Sequence, residues 1–117
     1  MLALCDTGDE IITFEPTYDS YSATIKLAGA VEKPILLNPP NSSIVLEELQ
    51  AAVTPKTRAI LLNTPHNPTG KVFTRGELQS IADLAIANDL VVISDEVYEH
   101  MVFDGEHIPM ALSLIHI

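Results

Sequence analysis

Apolar residues along this 117-residue chain fall into two kinds of run, some continuous over the length of a strand and others recurring every three to four residues. Residues 10–14 (EIITF) form a short β-rich run stopped by Pro16. From 18 to 27 apolar and small residues then follow helical spacing until Gly29 supplies a stop. Residues 31–37 are again strand-like, 38–43 are a Pro/Asn/Ser loop, and 46–53 place Leu46, Leu49 and Val53 on one helical face before Pro55 ends the run. The cycle repeats with a buried-type strand at 58–63 and a rigid loop at 64–70. Thr74 with Glu77 then makes a capping box, opening a helix whose Leu78, Ile81, Ala82 and Ala85 share a face. Residues 90–94 close the series. Strands alternating with helices, the last strands apolar on both faces, predict an α/β fold with a mostly parallel sheet and helices on both faces.

Composition narrows the partners. Sixteen acidic against six basic residues give a formal charge of −10, which repels phosphate backbones and anionic lipid, so no nucleic acid and no membrane is expected. The longest apolar runs are far short of the roughly 20 residues that a membrane helix needs. The single Cys5 cannot form an internal disulfide, no stretch has signal-peptide character, and a cytoplasmic protein is expected.

In parallel α/β sheets ligands sit beyond the carboxyl ends of the strands, so the polar residues there are the first suspects. Two clusters qualify, residues 63–71 and 95–100. In Asn63-Thr64-Pro65-His66-Asn67-Pro68-Thr69-Gly70-Lys71 two prolines and a glycine stiffen a loop directly after a buried strand. Such a loop holds Asn67 in one geometry, from which its amide can donate to an oxyanion. Asn-Pro and Thr-Gly are also common turn dipeptides, so this loop alone reads equally well as a plain turn. The second cluster, Val91-Val92-Ile93-Ser94-Asp95-Glu96-Val97-Tyr98, ends an apolar strand in two adjacent carboxylates. That is costly unless something positive faces Asp95. An acidic strand end could also hold magnesium in a nucleotidase, but no G-x-x-x-x-G-K-[ST] loop accompanies it, and Gly70-Lys71 is followed by Val72.

Together these residues resemble the class I/II aminotransferases of fold type I, the pyridoxal-phosphate family. The resemblance lies in N-x-P-x-N-P-T-G followed by a helix and a strand ending D-E-x-Y, with Asp95 standing 28 residues after Asn67. Upstream, Gly8-Asp9-Glu10 and Glu15-Pro16-Thr17-Tyr18 resemble the family's G-D-E strand and aromatic P-x-Y turn. The segments 18–21 (YDSY), 53–59 (VTPKTRA) and 97–104 (VYEHMVFD) are most similar to kynurenine, methionine and succinyl-diaminopimelate aminotransferases. The resemblance covers residues 1–111 and implies part of the large domain that binds pyridoxal 5'-phosphate. By the same resemblance Asp95 pairs with the cofactor's pyridine nitrogen, Tyr98 and Asn67 donate to its phenolic oxygen, and Asn67 lies near the substrate carboxylate. Tyr18 stacks on the ring, and Asn63 supports the loop and Tyr98 from behind. The implied reaction moves an amino group between an amino acid and a 2-oxo acid, in a homodimer whose second subunit completes the site.

The lysine that such chemistry requires is not evident. Lys26, Lys33, Lys56 and Lys71 all precede Asp95, whereas the family's Schiff-base lysine lies later in an S-x-S-K-like motif, so no catalytic lysine is assigned and the segment alone is expected to be inactive. Glu96, Glu99 and His100 lack the H-E-x-x-H spacing, and no metal site is expected; His66 is expected to face solvent. Residues 1–4 read as the last turn of a helix begun upstream. Residues 112–117 (LSLIHI) match the translation of a transposase-type sequencing adapter, CTG TCT CTT ATA CAC ATC, and are expected to be a non-native tail. A C–S lyase of the same fold shares the central motifs. A magnesium nucleotidase and a non-catalytic binding module remain as readings from other classes.

Overall fold

The computed structural model describes residues 1–113. Its elements run β1 (Glu10–Glu15), α1 (Asp19–Leu27), β2 (Val31–Leu36), α2 (Leu46–Ala52), β3 (Thr57–Asn63), α3 (Arg75–Ala87), β4 (Val91–Asp95) and α4 (Met110–Ser113). Residues 114–117, most of the tail expected to be non-native, lie outside the described residues. Residues 1–5 make a single turn, with the Leu4 and Cys5 amides donating to the Met1 carbonyl at 2.9 and 3.2 Å.

The four strands are parallel and ordered β2-β1-β3-β4. From β1 the chain steps outward to β2, then reverses across β1 to reach β3 and β4. A right-handed crossover places its helix on a face set by the direction of the step, so this reversal sends α1 to one face and α2 and α3 to the other. The core divides accordingly. Ile12, Phe14, Ile60 and Leu62 pack with Leu49 of α2 and with Leu78, Ile81, Ala82 and Ala85 of α3. Their neighbours in sequence, Ile11, Ala59 and Leu61, turn to the opposite face and meet Ile25 of α1. Alternating side chains thus give β1 and β3 two buried faces, as the continuous apolar runs require.

Local signals act where the chain pattern puts them. Thr74 Oγ1 accepts from the Glu77 amide at 3.2 Å while Glu77 Oε2 accepts from the Thr74 amide at 2.9 Å, completing the capping box of α3. Two expectations are modified. Leu46 opens α2 at the sheet margin and is 38% exposed, leaving Leu49 as that helix's buried anchor. Strand β4 is only partly buried despite its apolar sequence, because it pairs with β3 alone. Motif residues at the amino ends of the strands knit the sheet: the Glu10 amide donates to the Lys56 carbonyl at 2.8 Å, Thr54 Oγ1 donates to Glu10 Oε2 at 2.6 Å, and Arg58 Nε meets Asp9 Oδ2 at 3.3 Å. Among the described residues no helix is long and apolar enough to cross a membrane.

Gly29 ends α1 with φ of +75°, and a Cβ there would stand 2.9 Å from Thr7 Oγ1. Gly70 has φ of +73° with nothing within 4 Å of such an atom. The left-handed conformation costs an L-residue about 1–2 kcal/mol. Gly70→Ala is therefore expected to lose about that much in urea unfolding, and Gly29→Ala measurably more because contact adds to strain. Equal losses would mean that Thr7 moves freely aside.

Candidate active site at the strand switch point

Where consecutive connections leave a parallel sheet in opposite directions, a crevice opens between the carboxyl ends of the two strands concerned. Here those strands are β1 and β3. The loop after β1 carries Tyr18 into α1, the loop after β3 carries Asn67, and Asp95 ends the neighbouring β4. Topology alone therefore brings together side chains that are up to 77 residues apart in the chain.

All three tyrosines of the protein converge there. Tyr18, the residue preceding α1, is half exposed, and its ring meets that of Tyr21 edge-to-face at 5.6 Å. Tyr21 Oη makes a short hydrogen bond to Asp95 Oδ2. Burial, then this bond and the Asp95 charge, push the Tyr21 hydroxyl far above the ordinary tyrosine range, with Tyr98 and Tyr18 adding to the effect. The hydroxyl thus stays a proton donor throughout the physiological range. Tyr21 is the site residue that sequence reasoning passed over. Its signal was available, because Tyr18 and Tyr21 stand one helical turn apart and so share a face.

Asp95 is set by its surroundings on three sides. The Val97 amide donates to Oδ1 at 3.1 Å, Tyr21 holds Oδ2, and the Asp95 carbonyl accepts from Asn63 Nδ2 and from the Thr64 amide, each at 3.0 Å. Asn63 is 3% exposed and uses its other end as well, Oδ1 accepting from the Asn67 amide at 2.7 Å. The two polar clusters are thereby joined through one buried amide. Tyr98, expected as a further contact of Asn63, is not among its hydrogen-bond partners, which are the Asp95 carbonyl and the Asn67 amide. No lysine, arginine or histidine among the described residues pairs with the Asp95 carboxylate. Each of its oxygens accepts one hydrogen bond and retains a free lone pair, so this half-buried anion fits a cationic N–H from a ligand.

Beneath the Asn67 loop the structure corrects one expectation. His66 does not face solvent but is 4% exposed, its Nδ1 2.7 Å from Thr69 Oγ1 and its ring edge-to-face with Phe73. The reason is that the loop folds back on itself, the His66 amide donating to the Lys71 carbonyl at 2.8 Å and the Gly70 amide to the His66 carbonyl at 2.7 Å. The Lys71 side chain is largely covered too, at 8% exposure. Its Nζ lies 2.8 Å from Glu77 Oε1 and 5.0 Å from the Phe73 ring centroid. It is committed to that ion pair, while Lys33 on the outer strand β2 pairs with Glu10, and Lys26 and Lys56 are exposed. None of the four stands free beside Asp95. On the far side of β4, the histidine that meets Glu96 is His107, at 2.9 Å; His100 is 93% exposed beside Glu99.

These features define an α/β chain that presents an acidic strand end, bonded to a tyrosine, at a switch point. Comparison with known proteins places it. The family model described as aminotransferase class I and II matches residues 1–115, and the chain belongs to that family. It is 48% identical over 114 residues to a probable N-succinyldiaminopimelate aminotransferase of Mycobacterium tuberculosis, covering 95% of this chain and 29% of that protein. It is 47% identical over 119 residues to kynurenine–oxoglutarate transaminase 3 of Rattus norvegicus, covering 92% of this chain and 26% of the relative. The solved structure of the Mycobacterium tuberculosis N-succinyldiaminopimelate aminotransferase superimposes with a TM-score of 0.91, covering 94% of this chain and 29% of that one. An aspartate aminotransferase of Thermus thermophilus gives 0.91 at 36% identity, covering 94% and 31%. The chain thus spans about 29% of the length of the relative first named. The fold is that of part of a fold type I aminotransferase, which sets aside the magnesium nucleotidase reading.

The buried His66 yields a pH prediction. Burial first, and then the nearby Lys71 charge, hold its pKa below the ordinary 6.5, although a bond to the Phe14 backbone acts the other way. The unfolded chain therefore binds a proton that the folded chain refuses, and stability must fall as pH drops below about 6.5. Urea midpoints measured from pH 8 to pH 5 should show this decline in the wild type and a flatter profile in His66→Asn. Parallel profiles would remove His66 as the cause.

Proposed function

We propose that this chain supplies part of the pyridoxal 5'-phosphate cradle of an enzyme that moves an amino group between an amino acid and a 2-oxo acid. The observation that carries the reading is Asp95. It is a half-buried carboxylate without a cationic partner among the described residues, oriented by Tyr21 and the Val97 amide at the crevice where the three tyrosines and the Asn63–Asn67 bridge meet. When bound, the cofactor supplies an electron sink for the pair released at the substrate's α-carbon.

Each residue then has a role that its chemistry suits. Asp95 holds a proton on the pyridine nitrogen, and Tyr21, a donor at every physiological pH, keeps the Asp95 carboxylate aimed there. Asn67 and Tyr98 donate toward the phenolic oxygen, and Asn67 reaches the substrate carboxylate. The Tyr18 ring, half exposed over the crevice, offers the stacking face. Asn63 holds Asn67 and Asp95 in register. The Schiff-base lysine comes from outside residues 1–111, which form a portion of the large cofactor domain, and 112–117 are the adapter-derived tail. A homodimeric parent follows from family membership alone.

A chimera tests the reading. Residues 1–111 replace the matching segment of the Mycobacterium tuberculosis relative, and the product is assayed for pyridoxal-phosphate binding and for transfer between an amino acid and a 2-oxo acid. Activity is expected, with Asp95→Ala lowering kcat/KM on the order of 100-fold or more while the circular dichroism is unchanged. Retained activity in that variant refutes the role of Asp95, and release of ammonia without a new amino acid makes the parent a lyase. Genomic sequence past codon 111 should show a serine-lysine motif some tens of codons downstream. Native codons reading through 117 as LSLIHI would overturn the tail assignment.

A further inference from the structure

Asp95 and Glu96 are neighbours, so their side chains leave the end of β4 in opposite directions. Asp95 turns to the tyrosines and Glu96 to a second polar network. Glu96 Oε1 accepts from Ser94 Oγ at 2.7 Å and from the Met110 amide at 2.9 Å, and Oε2 lies 2.9 Å from Nε2 of His107, whose side chain is only 8% exposed. Burial pushes the Glu96 carboxyl up, but the Met110 amide, Ser94 and His107 together outweigh it and hold the group below the usual carboxylate range. Glu96 is therefore a charged hub joining the end of β4 to the start of α4.

What the hub closes is the segment between them, which carries Tyr98. That segment has little else to hold it. Val97, Met101 and Phe103 are 70%, 58% and 97% exposed, so its large apolar side chains contribute little burial. Its local bonds are the turns Glu99 N–H to Glu96 O at 3.0 Å and Met101 N–H to Tyr98 O at 2.8 Å, plus the Val97 amide on Asp95. Only at its far end does the chain re-enter the core, with Met110 2% exposed and Ile108 packed beside it.

We infer that Glu96 is a positioning residue of the site: by holding Ser94, His107 and the Met110 amide together, its carboxylate sets where Tyr98 and the Val97 N–H stand relative to Asp95. The functional part of this inference rests on the proposed cofactor reading, but its geometric part does not. A merely local tether would protect Met110 alone, whereas a positioning hub must also protect amides on the Asp95 side of the strand.

Amide hydrogen exchange on the 117-residue chain separates the two. In Glu96→Ala, exchange at Val97 and Met101 as well as Met110 is expected to quicken about tenfold or more while Ile12 and Ile60 in the core stay unchanged. Glu96→Gln, which keeps an acceptor for Ser94 and Met110, should recover most of the protection, and Glu99→Gln should change nothing. Acceleration confined to Met110 overturns the inference. If Glu96→Ala loosens the whole sheet, His107→Gln carries the test by the same criterion. In the chimera, Glu96→Ala should shift the pH midpoint of the bound cofactor's absorbance change in the same direction as Tyr98→Phe; no shift overturns the functional part. Glu96, Glu99 and His107 also bring three potential ligand atoms within 4.8 Å of one another. Zinc chloride binding at micromolar concentration that is lost in Glu99→Gln would make the cluster a metal centre and sink the inference. Failure of the cofactor reading would leave the exchange results standing, since they are measured without cofactor.

Discussion

Asn63 is the last residue of β3, paired with Asp95 of β4, and its buried side chain extends that pairing into the loop above. One end of the amide donates to the Asp95 carbonyl on the next strand, and the other accepts from the Asn67 amide in the loop above. At 3% exposure, leaving either end unmet would cost about 1–3 kcal/mol, so the loop and the strand end are held in register by the same unavoidable requirement. No apolar residue could do this, and an acid could not donate. The cofactor cradle proposed for this chain depends on that bridge, because it fixes Asn67 relative to Asp95 without drawing on either side chain.

Around the bridge, rigidity is distributed unevenly. The Asn67 loop rests on a compact base of His66, Lys71, Phe73 and Glu77, in which a part-buried ion pair, a cation over a ring and a capping box share the same few residues. A largely buried ion pair of this kind adds little net stability, and what it contributes here is to hold Lys71 against Glu77 beneath the loop. The segment that carries Tyr98 has no such base and relies on contacts at its two ends. The proposed donors thus stand on supports of different stiffness, one built into the fold and the other hung between β4 and α4.

The aspartate is the chemical centre of this arrangement. Two neutral donors, Tyr21 and the Val97 amide, orient its carboxylate without neutralising it. A cation supplied by protein would have occupied the position, whereas one hydroxyl and one amide leave it available to a cationic ligand atom. At the opposite, amino ends of the strands, the motif residues Asp9, Glu10, Thr54 and Arg58 tie strand to strand and so keep the carboxyl ends level.

Much of this was readable in order along the chain. Periodicity placed every strand and helix of ordinary length, because burial on a sheet face or helix stripe imposes a local repeat, and the Thr74–Glu77 box and Gly29 marked boundaries because caps and left-handed turns have local chemistry. The spacing of Asn67 and Asp95 made the family recognisable. Tertiary structure alone decided the rest. His66 lies in a polar loop that reads as exposed, and only the folding-back of that loop onto Phe73 buries it. Tyr21 is an ordinary helix residue until the switch in strand order brings α1 against the end of β4, 74 residues away. His107 rather than His100 meets Glu96 because the segment between β4 and α4 folds back onto the strand end. Local sequence determines which conformation a segment takes, whereas the partner of a polar group is set by how the crossovers stack, and no repeat in the chain encodes that distance.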